Sequence, residues 1–459
     1  MNRSSFFNDL LSSIAEQGRH LLDLRRERAP NGRALGDLCE ALLSGRGEAS
    51  GVALARDVLT SYAALPEEER AAFFEELRGR FGADRDKVRA AAEAVLEDPE
   101  DETRLKQLHE VSEPRRQELI RRLNLAPGGT SALVAMRKDL LACLRDRPDL
   151  KVVDRDFEHL FASWFNRGFL VMQRIDWSTP AVILERIIRY EAVHEIRDWN
   201  DLRRRIDLPD RRLYAFFHPA LVDDPVIFVE VALTRALAEG IPPILAEERV
   251  ELAEREATTA VFYSISNCQM GLRGISFGNF LIKQVVEELR RDLPNLKTFV
   301  TLSPLPGFRP WLEAALAAGD ETVLGALTDE RRAMLNEMAG SGASDQAPDE
   351  DLKEPLRALC AHYLMREKKA ARRPLDPVAR FHLGNGARLE RINWNADPSP
   401  NGRRQSYGLM VNYLYDLGDI EKNHEAFAAS GAVAAASAVT RLLKAVPEPK
   451  TKPVSDAVA

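Results

Sequence analysis

The sequence predicts a two-domain chain: an N-terminal all-α helical bundle over residues 1–160, then an α/β (α+β) domain over residues 161–459. Three observations carry this. The chain has 459 residues, well beyond the usual length of one domain. Up to about residue 160, apolar residues recur at helical spacing and no run reads as a strand. Beyond that point short β-rich runs alternate with helical text.

In the first part, the segment from Pro66 to Phe81 opens on proline and then three glutamates. Proline presets a helical φ and the acids complement the helix dipole. Phe73, Phe74 and Leu77 follow at helical spacing. Gly82 stops this helix, and Asp84 is placed to cap the next, through Val88, Ala91, Ala92, Val95 and Leu96. The stretch EDPEDETRLK reads as a solvated connection. Ser112 is expected to begin another helix, with Pro114 just inside and Leu119, Ile120 and Leu123 as its stripe. Pro127, Gly128 and Gly129 break it; Thr130 or Ser131 reopens a helix with Leu133, Met136, Leu140 and Leu141. A bundle of roughly six to eight short helices results. It carries no conspicuous polar constellation, so it reads as scaffold or oligomer contact. His20, His109 and His159 lack ligand partners one helical turn away and read as surface or packing residues.

Six β-rich runs follow: Arg212–Phe217, Val226–Leu233, Thr259–Ile265, Lys297–Leu302, Ala387–Trp394 and Tyr407–Tyr415. The second is almost continuously apolar, as expected of a strand covered on both faces. Asp223-Asp224-Pro225 between the first two is hairpin-like turn chemistry. A helix is expected over Asn279–Arg291, on Phe280, Ile282, Val285, Val286 and Leu289. Residues 340–351 read as a flexible loop, and the end of the chain from about residue 445 as a disordered tail.

Composition removes several function classes. A chain 45% hydrophobic and 29% charged has a core, which excludes a disordered polymer. No run approaches the length needed to span a membrane. The net charge of -7 argues against nucleic acid as a partner. Cys39, Cys143, Cys268 and Cys360 stand far apart without a CxxC pair, and read as reduced thiols of a cytoplasmic protein rather than a zinc or disulfide frame. The N-terminus lacks the uninterrupted apolar stretch of a secretory signal.

Chemistry concentrates at three places in the second part. GLRGISFGNF, from Gly271, follows a strand and precedes a helix, an order that suits an anion cradle of backbone N–H groups at a helix start. Its spacing fits neither a P-loop nor a dinucleotide-binding turn. It resembles the pyrophosphate loop of the acetyltransferase (GNAT-like) fold, with Arg273, Ser276 and Gly278 at the marked places and Ser in place of a smaller residue. An ordinary strand-to-helix turn is the alternative. Ser303, in TFVTLSPLPGF, sits at a rigid strand exit before Pro304; a Ser opening an ST-turn is the simpler reading of that residue by itself. His382, in ARFHLGNGARL, precedes a turn and a strand. A lone histidine is usually structural, but a Ser–His pair in the domain that carries the cradle is a standard acid–base unit. His218 is its main rival, while His362 and His424 lie in helical text.

Taken together, HPALVDDPVIFVEVALT, AVFYSISNCQMGLRGISFGNFLIKQVVEEL, FVTLSPLPGFRPWL, PLDPVARFHLGNGARLERINW and SYGLMVNYLYDL resemble the malonyl-CoA decarboxylase family over nearly all of residues 210–430. The resemblance implies a GNAT-like acyl-CoA catalytic domain and release of CO2 from malonyl-CoA to give acetyl-CoA, without biotin or metal. It also implies a homo-oligomer, commonly a tetramer, in fatty acid metabolism. It puts the catalytic pair on Ser303 and His382, and coenzyme A on Arg273, Gly274, Ile275, Ser276, Phe277, Gly278 and Asn279. Ser264 and Tyr415 are expected to line the site. Family members label the serine a proton acceptor and the histidine a donor. Animal members carry an acidic residue where this chain has Ser276. The chemistry fits: losing CO2 leaves a carbanion delocalised onto the thioester oxygen, so the reaction needs donors aimed at the enolate, each worth roughly 3 kcal/mol, and an acid for the α-carbon. An acyl-CoA N-acyltransferase and a non-catalytic acyl-CoA-binding protein are the rival readings. A thioesterase is disfavoured because no orienting acid partner for the Ser–His pair is apparent in the sequence.

Overall fold

The computed structural model describes residues 32–44, 47–275, 281–340, 347–368 and 373–447. The chain divides into two compact units. One comprises residues 1–173, 216–227 and 267–278; the other comprises 174–215, 228–266 and 279–459. Sequence texture draws a single boundary near residue 160, whereas the units interleave along the chain, and the segment around Gly271 belongs with the helices.

Among the described residues of the first unit eight α-helices precede the sheet: Gly32–Leu43, Glu48–Ala63, Glu67–Gly79, Arg85–Glu97, Glu102–Ser112, Arg115–Asn124, Gly129–Cys143 and Lys151–Trp164. Glu67–Gly79 begins after Pro66, places its three glutamates in the first turn and buries Phe73, Phe74 and Leu77. Phe73 and Phe74 pack against Tyr62 with ring centroids 5.4 and 6.1 Å away. Asp84 caps Arg85–Glu97 as expected, accepting the N–H groups of Asp86 and Lys87 at 3.1 and 3.2 Å. That helix buries little beyond Ala91, and Leu96 stays 80% exposed.

Two helix boundaries differ from the sequence reading. The acidic stretch after Glu97 is a helix from Glu102 onward, not a connection. Asp101 starts it by accepting the Thr103 N–H at 2.8 Å. It buries no residue, so no apolar stripe announces it. Ser112 ends this helix, its hydroxyl donating to the His109 carbonyl at 2.9 Å. The next helix starts at Arg115 with Pro114 at its N-cap, and buries Leu119, Ile120 and Leu123.

A seven-stranded sheet has most of its residues in the second unit. Its strands are β1 (Val171–Ile175), β2 (Arg211–Phe217), β3 (Pro225–Thr234), β4 (Thr259–Asn267), β5 (Thr298–Thr301), β6 (Arg388–Asn393) and β7 (Met410–Leu414), in the order β1-β2-β3-β4-β5-β7-β6. Every residue of β2 and nearly every residue of β3 is buried, which explains the almost continuous apolar text of β3 and of β2 after Arg212. β1 was not anticipated, because four of its five side chains are open or half-open and only Ile175 is buried. β4 and β5 are parallel, with Phe262 opposite Thr301, and the helix Leu281–Asp292 connects them, burying Ile282, Val285, Val286 and Leu289. β7 pairs antiparallel with both β5 and β6.

β7 begins at Met410, later than expected. Tyr407 takes a left-handed conformation (φ 55°) that closes the short helix Pro400–Ser406. One face of the sheet packs Ala232, Val261, Tyr263, Val300, Leu302 and Met410 into a core with Ile241 and Ile244. Strand alternation turns Thr301, Tyr413 and Tyr415 to the opposite face. In the expected flexible loop, residues 341–346 lie outside the described residues, while Leu352 is fully buried. Where a disordered tail is expected from about residue 445, Leu443–Ala445 forms a 3₁₀ turn and Val446 is buried; residues 448–459 lie outside the described residues.

Candidate active site

Ser303 stands just beyond β5 and is held by its backbone. Its N–H donates to the Val411 carbonyl at 2.8 Å, and its carbonyl accepts the Val411 N–H at 2.9 Å. This two-way bridge extends the β5–β7 pairing past the end of the strand and leaves the hydroxyl free of any ST-turn duty. His382 comes from the last turn of the helix Pro377–Gly384. Asp376, wholly buried, starts that helix by accepting the N–H groups of Val378 and Ala379, both at 2.9 Å. Gly386 then turns the chain into β6 at φ 81°, where a Cβ would lie 2.1 Å from the Ile420 carbonyl oxygen. Only glycine fits that turn.

The two side chains meet. Ser303 Oγ lies 3.0 Å from His382 Nε2. On the other side of the ring, Nδ1 lies 2.8 Å from the Tyr415 hydroxyl. The Ser303 hydroxyl donates to Thr301 Oγ1 at 2.8 Å, and Thr301 Oγ1 also accepts the Tyr413 N–H at 3.2 Å. The Tyr413 ring stacks on the imidazole, with centroids 4.7 Å apart and planes inclined by 24°. Thr301, Ser303, His382, Tyr413 and Tyr415 are all buried. Burial disfavours the imidazolium and pushes His382 down to about 3, so the ring is neutral. The same cause holds the Tyr413 and Tyr415 phenols well above their ordinary value. Both tyrosines therefore remain donors.

Ser264 lies on β4, one pleat period beyond Phe262, just as Ser303 lies one beyond Thr301; the two serines therefore belong to the same face of the sheet. The Ser264 hydroxyl donates to the Glu191 carboxylate at 2.8 Å, and the Ser266 hydroxyl donates to it at 3.1 Å. That carboxylate also accepts the Val193 and His194 N–H groups, both at 2.8 Å. No hydrogen bond among the described residues joins Ser264 to the Ser303–His382 chain.

Of the expected coenzyme loop, Arg273, Gly274 and Ile275 are described; Ser276, Phe277, Gly278 and Asn279 lie outside the described residues. Arg273 and Gly274 are exposed and Ile275 is buried. The entry to this loop is fastened within the first unit. The Arg137 guanidinium, fully buried on the helix Gly129–Cys143, donates to the carbonyls of Gly271 and Arg273 at 2.8 and 2.9 Å. Asp154 at 2.8 Å and Glu158 at 3.2 Å balance its charge. Gly271 itself has no room for a side chain: a Cβ would lie 1.9 Å from the Val134 carbonyl oxygen. Sequence reasoning found no polar constellation in the bundle and missed Arg137. Its trace in the sequence was the Asp154/Glu158 pair one helical turn apart.

The rival histidines are committed elsewhere. His218 accepts the Ala220 N–H on Nδ1 at 3.2 Å and donates from Nε2 to the Trp164 carbonyl at 3.1 Å. His362 Nε2 pairs with Glu367 at 3.1 Å, and His424 Nδ1 bonds the Gly384 carbonyl at 2.7 Å.

Comparison with known proteins places this site in a family. Residues 168–453 match the family model described as malonyl-CoA decarboxylase C-terminal domain, and residues 81–165 match its N-terminal domain. The crystal structure of malonyl-CoA decarboxylase from Rhodopseudomonas palustris is 57% identical, covering 90% of this chain and 100% of that one with a TM-score of 0.85. That from Agrobacterium vitis is 54% identical, covering 89% and 99% with a TM-score of 0.82. The mitochondrial malonyl-CoA decarboxylase of Anser anser anser is 38% identical over 76% of this chain and 74% of its own. With both of its parts matched in order, the chain belongs to the malonyl-CoA decarboxylase family.

Proposed function

We infer that this chain is a carboxy-lyase that converts malonyl-CoA to acetyl-CoA and CO2, with Ser303 and His382 as the reacting pair. The observation that carries the roles is the 3.0 Å contact between Ser303 Oγ and His382 Nε2, with Tyr415 on the far nitrogen. Cleavage of the bond to the carboxylate leaves its electron pair on the α-carbon and thioester oxygen. A neutral imidazole N–H is a hydrogen-bond donor that stabilises such an enolate as charge develops. Ser303 orients the malonyl group, and His382 supplies the proton that completes the acetyl methyl. Burial keeps water from competing and strengthens each hydrogen bond.

The segment Arg273–Asn279 takes the coenzyme diphosphate, through backbone N–H groups before a helix. Supporting that reading is the fastening of its entry by Arg137. A GNAT-like character of the catalytic domain is part of the same proposal, supported by the order of β4, loop, helix and parallel β5. The enolate is stabilised by its own thioester, and the reaction as proposed uses neither biotin nor a metal. A homotetramer and a cytoplasmic role in fatty acid metabolism complete the proposal; light scattering of the purified protein tests the first.

The decisive experiment incubates purified protein with malonyl-CoA labelled in the carboxylate and follows labelled CO2 and acetyl-CoA by mass. Equal amounts of both products are expected. Acetyl transfer to an added amine, or tight binding of malonyl-CoA without turnover, overturns the reading.

A further inference from the structure

Neutral histidine carries one ring proton, and the partner of one nitrogen decides where it sits. The hydrogen bonds around His382 form a single buried chain: Thr301, Ser303, His382, Tyr415. The Ser303 hydroxyl has one proton and gives it to Thr301 Oγ1 at 2.8 Å. It therefore has none for His382, and across the 3.0 Å contact it can only accept. His382 must carry its proton on Nε2. Nδ1 is then bare and accepts from the Tyr415 hydroxyl at 2.8 Å. Every contact in the chain is satisfied in this direction.

We propose that Thr301 is a positioning residue for the decarboxylation: by taking the Ser303 proton it fixes His382 as the Nε2–H tautomer, so that the imidazole faces the reaction as a donor rather than as a base. The proposal rests on Ser303 and His382 being the reacting pair. Thr301 is suited to this. It is fully buried on β5, and the Tyr413 N–H at 3.2 Å restrains its oxygen from a second side. Valine would fill the same volume and remove the acceptor. Ser303 would then turn its proton to Nε2, and the ring proton would move to Nδ1, facing Tyr415.

The proton balance follows. The C–C bond to the carboxylate breaks and its pair becomes the enolate. The Nε2–H bond breaks as the α-carbon takes that proton, directly or through the Ser303 hydroxyl. The Tyr415 proton, already on the hydrogen bond to Nδ1, passes to the ring as Nε2 loses its own; when a solvent proton returns to Nε2, the Nδ1 proton goes back to the Tyr415 oxygen and the Nε2–H tautomer is restored. One proton enters from solvent per turnover.

The test labels the eight histidines with ¹⁵N and reads the ring nitrogens by NMR, with the His382 signals identified by their loss in His382→Asn. Wild-type protein is expected to show a protonated Nε2 and a bare Nδ1. In Thr301→Val the ratio shifts toward Nδ1–H, and kcat falls about 100-fold while KM stays within about twofold. Thr301→Ser, which keeps the acceptor, retains the wild-type tautomer and most of the turnover. A wild-type ring protonated on Nδ1 overturns the proposal, as does a Thr301→Val enzyme with undiminished kcat, or a Thr301→Ser enzyme as slow as the valine variant. The wild-type spectrum decides even where Thr301→Val does not fold. Undiminished turnover in His382→Asn would instead remove the reacting pair, which keeps the two failures distinct.

Discussion

Replacing Gly271 with alanine adds one methyl group where the chain has no space for it. The added Cβ would lie 1.9 Å from the Val134 carbonyl oxygen, 2.7 Å from its carbon and 2.9 Å from Cγ1. Ordinary contact begins near 3.4 Å, so backbone and backbone must part by about 1.5 Å. Neither side is a flexible side chain that could swing away. The Arg137 bond to the Gly271 carbonyl, now 2.8 Å, would lengthen beyond hydrogen-bonding range. Overpacking of this kind costs about 1–3 kcal/mol, which in a domain of this size lowers Tm by roughly 2–4 °C per kcal/mol. The functional effect should exceed the thermal one, because the displaced segment leads into the proposed diphosphate loop. A 1 Å misplacement costs up to about 100-fold in such settings. Calorimetric titration with coenzyme A and the KM for malonyl-CoA are the readouts, with a large rise in both Kd and KM expected. Wild-type affinity in a folded Gly271→Ala protein would show that the fastening of residues 271–273 has no bearing on coenzyme binding.

Three further outcomes are expected. Tyr415→Phe removes the donor to His382 Nδ1 and leaves a buried acceptor unpaired, at about 1–3 kcal/mol; kcat should fall by up to about 100-fold with little change in KM, measured by CO2 release. Arg137→Met strips Asp154 and two loop carbonyls of their partner, and should destabilise the fold by about 3–5 kcal/mol in urea unfolding; lysine, lacking the planar fork, should rescue only part of this. His382 stays neutral in the folded protein down to about pH 3, whereas in the unfolded chain it titrates near 6.5. The unfolded state therefore binds the extra proton between those values, and wild-type stability is lost as pH falls through that window. His382→Asn lacks this contribution and should lose stability less steeply between pH 6.5 and 4; a parallel pH dependence would refute the burial argument.

What the sequence showed and what it hid have physical causes. Strand β3 was legible because both faces are covered, so its text is apolar but for Glu230 and the terminal threonine, and β2 was legible through its run Leu213–Phe217. β1, with one buried side chain, leaves no such pattern. The helix Glu102–Ser112 buries nothing and so looked like a loop, while Tyr407 has a strand-forming side chain in a left-handed backbone. Ser303 and His382 could be picked out through their turn settings and their resemblance to a family, and the structure brings them into contact. Thr301 and Arg137 could not. Each acts through a contact whose partner no local pattern reveals: Arg137 reaches carbonyls 134 and 136 positions away, and Thr301 matters through the direction of one hydroxyl proton.

β7 contributes three things to one imidazole–hydroxyl pair. Val411 clamps the backbone of Ser303, Tyr413 lies flat on the ring, and Tyr415, just past the strand, holds its far nitrogen. These residues are spaced by two, the side-chain period of an extended chain. Gaining or losing a single amino acid between 411 and 415 would send part of this set to the wrong side of the sheet. The length of this span is thereby fixed, and β7 serves as the ruler against which the reacting atoms are measured.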